Sequence, residues 1–211
     1  MKSTLQNKGW IEFQDINSEK QLIEICENFG KIIPHPNGNL IDILTPKESK
    51  DAKSLSFSKN FGLNKFPFHT DTAFLNNPVK YMALFSEETN DCPTLLLNFS
   101  SVLDNLDETY KKDIFKAIYG VQTPNNNFLS LLYKPFQSEF IIRYDECCMK
   151  PLNKSAKRID VVLKKIFIDL TPIEINWTKG KLVIVDNWKF LHSRNAVNSS
   201  INRKLKRIYI N

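Results

Sequence analysis

The sequence has few of the features that define membrane proteins, disulfide-stapled domains or zinc proteins. No apolar run approaches the roughly 20 residues that cross a bilayer, and the polar start, Met1–Gly9, is not typical of a signal peptide. Only four cysteines occur and none forms a C-x-x-C pair, so neither a zinc knuckle nor a redox motif is indicated. We therefore expect reduced thiols, a cytoplasmic location and no membrane attachment.

Glycine-rich phosphate-binding motifs and internal repeats are also missing. The chain has 6 glycines and contains neither a G-x-G-x-x-G fingerprint nor a P-loop, which argues against a classical dinucleotide or nucleoside triphosphate site. No linker or low-complexity segment interrupts it. We predict one domain over residues 1–211, a length that is ordinary for a single domain.

The composition is that of a globular protein with a substantial core. Hydrophobic residues make up 42% of the 211 residues and include 15 phenylalanines, which is too apolar for a disordered chain. The 29 Lys and Arg exceed the 23 Asp and Glu, giving a net charge of +6 that favours an anionic ligand. Because lysine is spread along the whole chain, we do not expect a nucleic-acid partner.

Three amphipathic segments predict helices, at Ser18–Gly30, Asp104–Ala117 and Lys154–Leu170. Short β-rich runs predict seven strands: Val79–Phe85, Thr94–Phe99, Ile118–Gln122, Phe140–Tyr144, Ile173–Trp177, Lys181–Val185 and Lys204–Ile210. Helices and strands do not alternate regularly. This order favours a β-sandwich or barrel decorated by helices over a doubly wound parallel sheet.

The chain has only three histidines, and two of them are candidate metal ligands. On an extended segment His69 and Asp71 would face the same side, because side chains two residues apart share a face. One imidazole and one carboxylate make up two-thirds of a facial iron site. His192, which follows a buried-type strand, is the remaining candidate for a third ligand; a core or loop histidine is the alternative. We assign no role to His35, which lies between two prolines.

The C-terminal strand places two arginines on one face. Arg203, Leu205, Arg207 and Tyr209 alternate with the residues of the opposite face. A guanidinium that points inward needs an anionic partner, and its usual use is a two-bond clamp on a carboxylate. The alternative is an edge strand with both faces in water.

A set of residues in fixed order resembles the taurine dioxygenase/clavaminate synthase-like family of oxygenases. The set is Phe66-Pro67-Phe68-His69-Thr70-Asp71, Thr94, Asp186-Asn187, His192, Arg203 and Arg207. The resemblance implies a mainly β fold with flanking helices, a double-stranded β-helix (jelly-roll). It also implies Fe(II) as cofactor, with 2-oxoglutarate and dioxygen as cosubstrates.

The resemblance further implies roles for individual residues. His69, Asp71 and His192 would bind the iron, and the presence of Asp71 disfavours halogenation. Thr94 and Arg203 would hold the distal carboxylate of 2-oxoglutarate. Arg207 would meet an anionic group of the primary substrate or help to hold the cosubstrate.

Charged residues at the end of the predicted strand Phe140–Tyr144 are candidates for substrate recognition. Arg143 with Asp145 or Glu146 could recognise an amino acid or a guanidinium, although a solvated turn with a surface ion pair is an alternative interpretation. We expect a dioxygenase that hydroxylates or desaturates a small polar molecule, such as an amino-acid derivative in specialised metabolism. Two other hypotheses remain: an oxygenase acting on a carrier-protein- or nucleic-acid-linked substrate, and a non-catalytic metal-binding β-barrel module.

Overall fold

A computed structural model describes residues 1–54, 56–123, 127–197 and 203–211. The fold is mainly β with flanking helices, as predicted. The strands are β1 (Trp10–Phe13), β2 (Ile32–Ile33), β3 (Asp42–Leu44), β4 (Tyr81–Ser86), β5 (Asn90–Asn98), β6 (Ile118–Gln122), β7 (Asn127–Leu131), β8 (Tyr133–Phe136), β9 (Glu139–Ile142), β10 (Met149–Pro151), β11 (Ile173–Trp177), β12 (Lys181–Asp186), β13 (Phe190–Arg194) and β14 (Leu205–Ile210). The helices are α1 (Lys2–Lys8), α2 (Glu19–Glu27), α3 (Phe57–Phe61), α4 (Phe99–Asp104), α5 (Glu108–Ile114) and α6 (Lys154–Asp169), with a 3₁₀ turn at Ser49–Asp51.

Two antiparallel sheets face each other and form the jelly-roll layers. The larger sheet has the order β1-β12-β4-β14-β2, with β3 also paired to β14, and the smaller one has the order β11-β5-β13. The chain passes between the sheets as it runs from β4 to β5 and from β12 through β13 to β14. Within the described residues the sheets do not close into a complete barrel.

Three hydrophobic clusters fill the layers. One lies between the two sheets and includes Leu84, Leu96 and Trp177. A second packs α1 and α2 on the outer face of the larger sheet. The third covers the outer face of the smaller sheet with α4, α5, α6 and the β6–β7 hairpin. Because both faces of each sheet are covered, polar side chains that point between the sheets are held in a buried environment.

The helix predictions are confirmed in two cases and wrong in one. Helix α2 begins after Ser18, whose hydroxyl accepts a hydrogen bond from the Gln21 amide, and α6 agrees with the predicted third helix. Within the predicted helix Asp104–Ala117 only Glu108–Ile114 is helical, as α5, and α4 ends at Asp104. The break falls where Asp107 adopts an extended N-cap conformation before α5, a position that aspartate favours.

The seven predicted strands all exist, with ends shifted by a few residues in most of them, and β6 and β11 match the predicted bounds. The last strand is not a solvated edge, because β14 pairs with β4 on one side and with β2 and β3 on the other. His192 lies in the middle of β13 rather than in a loop after a strand end. No helix in the described part of the chain is both long and apolar enough to span a membrane.

Candidate active site

His69 and His192 are brought together by an antiparallel bridge between β13 and the segment before Asp71. The amide of His69 donates to the carbonyl of His192 at 3.0 Å, and the reverse bond is 2.9 Å long. The centroids of the two imidazole rings are 4.1 Å apart. The backbone pairing therefore sets the separation of two candidate metal ligands that are distant in sequence.

Both imidazoles are prepared to offer a nitrogen lone pair. His69 Nδ1 lies 2.9 Å from the carbonyl oxygen of Pro67; a carbonyl can only accept, so Nδ1 is the donor and Nε2 is the nitrogen that can ligate a metal ion. The ring of Phe57, at the start of α3, stacks on His69 with centroids 3.9 Å apart. Burial, reinforced by the neighbouring His69, lowers the pKa of His192 well below its ordinary value, so that His192 is neutral at neutral pH.

The backbone of Asp71 is fixed by the side chain of Asn187. The Asp71 amide donates to Asn187 Oδ1 at 2.9 Å, and Asn187 Nδ2 donates to the Asp71 carbonyl at 3.0 Å. The next residue, Thr72, has a φ of 57°, a left-handed conformation that is unfavourable for a β-branched residue. The Thr72 hydroxyl accepts a hydrogen bond from the Val79 amide at 2.9 Å and thereby helps to hold this turn.

The carboxylate of Asp71 accepts three hydrogen bonds. Oδ1 accepts from the Thr72 amide at 3.0 Å and from the Tyr209 hydroxyl at 2.8 Å, while Oδ2 accepts from Arg207 Nη1 at 2.8 Å. Burial by itself would raise the pKa of Asp71. The charge of Arg207, the two histidines and the Tyr209 hydrogen bond outweigh that effect and lower this pKa to about 2. Asp71 is therefore an ionised carboxylate at neutral pH.

The donor chemistry of this trio suits Fe(II), which binds two imidazoles and one carboxylate on a single octahedral face. In the described part of the chain, no three His, Cys, Asp or Glu side chains already converge as a metal-binding group. The carboxylate of Asp71 is turned towards Arg207 and Tyr209. It nonetheless has lone-pair capacity left, because an ionised carboxylate offers about four acceptor sites and three are used.

Thr94 and Arg203 form a second polar group between the sheets. Arg203 is 7% exposed; its Nη2 donates to Thr94 Oγ1 at 3.0 Å and its Nε donates to the Cys92 carbonyl at 3.3 Å. Burial lowers the pKa of Arg203 to about 10, so the guanidinium is charged at neutral pH. Among the residues that the structure describes, no carboxylate compensates this charge.

The hydroxyl of Thr94 is left as a hydrogen-bond donor. Its oxygen accepts from Arg203 Nη2 and also from Trp177 Nε1 at 3.1 Å. Since both partners can only donate, the two lone pairs of the oxygen are occupied and the O–H group remains to donate. No described residue accepts that bond. A buried cation beside a buried hydroxyl donor is a receptor for an anionic group.

The sheet register relates this anion receptor to the candidate iron ligands. His192 pairs with Leu96 and Arg194 pairs with Thr94 across β13 and β5. Residues two apart on β5 share a face, so Thr94 and His192 both point between the sheets, about 7 Å apart along the strand direction. A short dicarboxylate can bridge such a separation.

The two residues predicted to recognise the substrate have partners inside the chain. Arg143 is 2% exposed, and its guanidinium donates to the carbonyls of Ala73, Leu75 and Asn76, each at 2.6 Å. Asp145 Oδ1 accepts hydrogen bonds from the backbone amides of Cys147 at 2.7 Å and Cys148 at 3.3 Å. The alternative of a solvated turn with a surface ion pair does not hold for Arg143, because it is buried and bonded to backbone.

Arg207 lies at the site, but its guanidinium is already hydrogen-bonded to two carboxylates of the chain. In addition to Asp71, it contacts Asp42, with Nη2 donating to Oδ2 at 2.8 Å. No role was predicted for Asp42, Tyr209 or Asn187. Tyr209 and Asn187 contact Asp71, and Asp42 contacts its partner Arg207. His35 also lies here: its Nε2 is 2.9 Å from the Arg207 carbonyl oxygen, and its ring contacts that of Tyr209 in a tilted arrangement with centroids 4.0 Å apart. Only the inward face of β14 could have indicated Tyr209 from sequence.

Solved structures that this chain resembles include three iron oxygenases. Asparagine oxygenase (AsnO) in complex with Fe(II), 3-hydroxyasparagine and succinate has a TM-score of 0.79 at 16% identity, covering 99% of this chain and 76% of its own. OrfP, a non-heme iron oxygenase in complex with Fe and α-ketoglutaric acid, gives 0.78 at 16% identity, with coverage of 99% and 77%. PvcB from Pseudomonas aeruginosa gives 0.74 at 18% identity, with coverage of 99% and 78%.

At such low identities these likenesses establish the fold, which is that of the jelly-roll oxygenases. No curated protein matches the sequence. The model of one protein family, described as taurine catabolism dioxygenase TauD, TfdA family, matches residues 1–162. This match includes His69, Asp71 and Thr94, and ends before His192 and β14. Because it spans well over half of the 211 residues, the chain belongs to the TauD/TfdA family of dioxygenases.

Proposed function

We propose that this chain is an Fe(II)- and 2-oxoglutarate-dependent dioxygenase that hydroxylates or desaturates a small polar substrate of the amino-acid class. The observation that carries the proposal is the anion receptor at Thr94 and Arg203. It combines the buried guanidinium of Arg203, which has no carboxylate partner among the described residues, with the Thr94 hydroxyl, which can now only donate a hydrogen bond. A dicarboxylic cosubstrate supplies the missing anion.

Each residue then has a distinct task. His69, His192 and Asp71 hold the metal ion, and Asn187 keeps the Asp71 backbone in place. Thr94 and Arg203 hold the distal carboxylate of 2-oxoglutarate. The chemistry that Fe(II) supplies when bound is the activation of dioxygen, coupled to oxidative decarboxylation of 2-oxoglutarate and oxidation of the substrate.

The substrate class rests on the likeness to AsnO and OrfP, whose structures hold hydroxylated asparagine and hydroxylated arginine. An amino acid carries both an anionic and a cationic group. Asp145 follows Tyr144, whose carbonyl accepts from the Thr70 amide at 2.8 Å, beside His69. Asp145 Oδ2 accepts no backbone hydrogen bond among the described residues. We propose Asp145 Oδ2 as the partner of a substrate ammonium or guanidinium group.

The test is succinate release from 2-oxoglutarate in the presence of Fe(II) and dioxygen, measured across a panel of L-amino acids. We expect at least one amino acid to raise succinate formation and to yield an oxidised product by mass spectrometry. Asp71→Ala serves as the inactive reference. Succinate formation no higher than in that variant, with every amino acid tested and without substrate, would overturn the proposal.

A further inference from the structure

Arg207 lies between two carboxylates that come from different parts of the fold. It occupies β14 directly opposite Asp42 on β3, and its two terminal nitrogens contact Asp42 and Asp71 at 2.8 Å each. The side chains of the three residues are 20%, 25% and 9% exposed, in the order Arg207, Asp42 and Asp71. The remaining guanidinium nitrogen, Nε, is buried and has no hydrogen-bond partner among the described residues. The cation is thus committed to this pair of acids.

The same network limits how Asp71 can use its own oxygens. Oδ1 has accepted two hydrogen bonds, from Tyr209 and from the Thr72 amide, which fills its lone pairs. Oδ2 has accepted one, from Arg207, and retains one lone pair. Only Oδ2 can therefore ligate a cation, and it can do so through a single lone pair.

We infer that Asp42 and Tyr209 are positioning residues that restrict Asp71 to one-oxygen ligation of the metal. Asp42 acts through Arg207, whereas Tyr209 acts directly on the Asp71 carboxylate. This inference rests on the proposed function. Tyr209 fixes the carboxylate from the Oδ1 side. Asp42 holds the guanidinium against Oδ2 and offsets its positive charge, which would otherwise oppose a metal cation bound next to it.

The network also bears on substrate recognition. One guanidinium and two carboxylates sum to an excess of negative charge, so this corner of the site does not attract an anion. For Arg207 to bind an anionic substrate group, it would have to leave one of its carboxylates. The anionic group of the substrate is then received elsewhere in the site, and Arg207 serves the metal ligand.

The experiment measures binding of Mn(II) to the anaerobic, metal-free protein, with and without 2-oxoglutarate, by titration calorimetry and electron paramagnetic resonance. The variants are Asp42→Asn and Tyr209→Phe. Matched controls are Asp113→Asn, which breaks an ion pair with Arg158 at 2.7 Å, and Tyr119→Phe, which removes the hydroxyl bonded to the Ala156 carbonyl. Both controls lie on the helical side of the molecule.

We expect Asp42→Asn and Tyr209→Phe to weaken Mn(II) binding about 10- to 100-fold, the usual effect of losing a partner of a metal ligand, and both controls to stay within about threefold of wild type. Asp42→Glu should recover most of the loss. In an Arg207→Ala background, Asp42→Asn should have no further effect, because its influence passes through Arg207.

The outcomes separate this inference from the proposed function. A wild-type protein that binds no Mn(II) in the presence of 2-oxoglutarate would contradict the proposed function itself. If the wild type binds Mn(II) while both variants behave like their controls, the positioning inference alone is wrong. A further loss caused by Asp42→Asn in the Arg207→Ala background would also refute the route through Arg207.

Discussion

Replacing Thr94 by valine tests the anion receptor with almost no change of shape. Valine keeps the volume and branching of threonine but removes the hydroxyl. That hydroxyl is the acceptor for Trp177 Nε1 and Arg203 Nη2, and its own proton is available to the cosubstrate. The substitution therefore has one effect on the free protein and another on the complex, and the two can be measured separately.

The loss in the complex is one hydrogen bond to a charged carboxylate, which contributes about 1.5–3 kcal/mol. Since every 1.4 kcal/mol is a factor of ten in an equilibrium constant, the dissociation constant of 2-oxoglutarate should rise about 10- to 150-fold. In the free protein the Trp177 N–H, on a side chain that is 1% exposed, loses its acceptor. An unsatisfied buried donor costs about 1–3 kcal/mol, so the free energy of unfolding should fall by that amount.

The assay is anaerobic titration of 2-oxoglutarate into Mn(II)-loaded protein, together with urea denaturation of the metal-free protein. Thr94→Ser retains the hydroxyl and should bind 2-oxoglutarate within about threefold of wild type, the equivalent of less than 1 kcal/mol. Two results would refute the reasoning. In one, Thr94→Val binds as tightly as wild type, so the hydroxyl donates nothing to the cosubstrate. In the other, Thr94→Ser loses as much affinity as Thr94→Val, so the methyl group is what matters.

Three further predictions concern the metal ligands, a buried cation and an ion pair away from the site. Asp71→Ala should abolish iron-dependent succinate formation while leaving the far-ultraviolet circular dichroism near wild type; wild-type turnover would exclude Asp71 as a ligand. Arg143→Leu should lower the free energy of unfolding in urea by at least about 3 kcal/mol, because three carbonyls lose a charged donor; a loss below about 1 kcal/mol would contradict this. The pKa of Asp113 is lowered by a hydrogen bond from Ser155 and by Arg158, against the opposing effect of burial. A lowered folded-state pKa gives stability that is present above the unfolded-state pKa and lost as pH falls through the folded-state pKa. The difference in free energy of unfolding between wild type and Asp113→Asn, measured in urea, should therefore shrink in acid. A difference that grew in acid would contradict this.

The core strands could be predicted because each depends on a local pattern, and the candidate site residues were proposed from residue types and their order along the chain. Strands such as β6 and β11 are bounded by turn residues and match their predicted limits. Arg203 was predicted on an inward-facing side of the last strand; it is buried, although it lies two residues before β14 begins. His69 and His192 were paired on residue type alone, and the backbone bridge then brings them together.

Features that depend on distant backbone could not be predicted. Strands β2 and β3 have two and three residues, too few for any periodicity to show, and Asp42 acquires its place opposite Arg207 only because β3 pairs with β14. The acceptors of Arg143 are main-chain carbonyls, which every residue carries, so no side-chain pattern in the sequence could indicate them.

The segment that carries His69 and Asp71 has little regular structure of its own, and two buried arginines hold it from both ends. On the N-terminal side, Arg194 Nη2 donates to the carbonyls of Gly62 and Asn64, both at 2.9 Å, and its guanidinium lies 3.9 Å from the Phe66 ring centroid. On the C-terminal side, Arg143 donates to three carbonyls of the turn after Asp71.

A guanidinium can satisfy several carbonyls at once without a carboxylate, whereas a buried backbone carbonyl without a donor is costly. Arg143 and Arg194 therefore satisfy backbone carbonyls of this irregular segment, as inter-strand hydrogen bonds satisfy those of a strand. The metal-ligand segment can then depart from strand geometry at Thr72 and still present His69 and Asp71 in a fixed position, which is the requirement for a preorganised metal site.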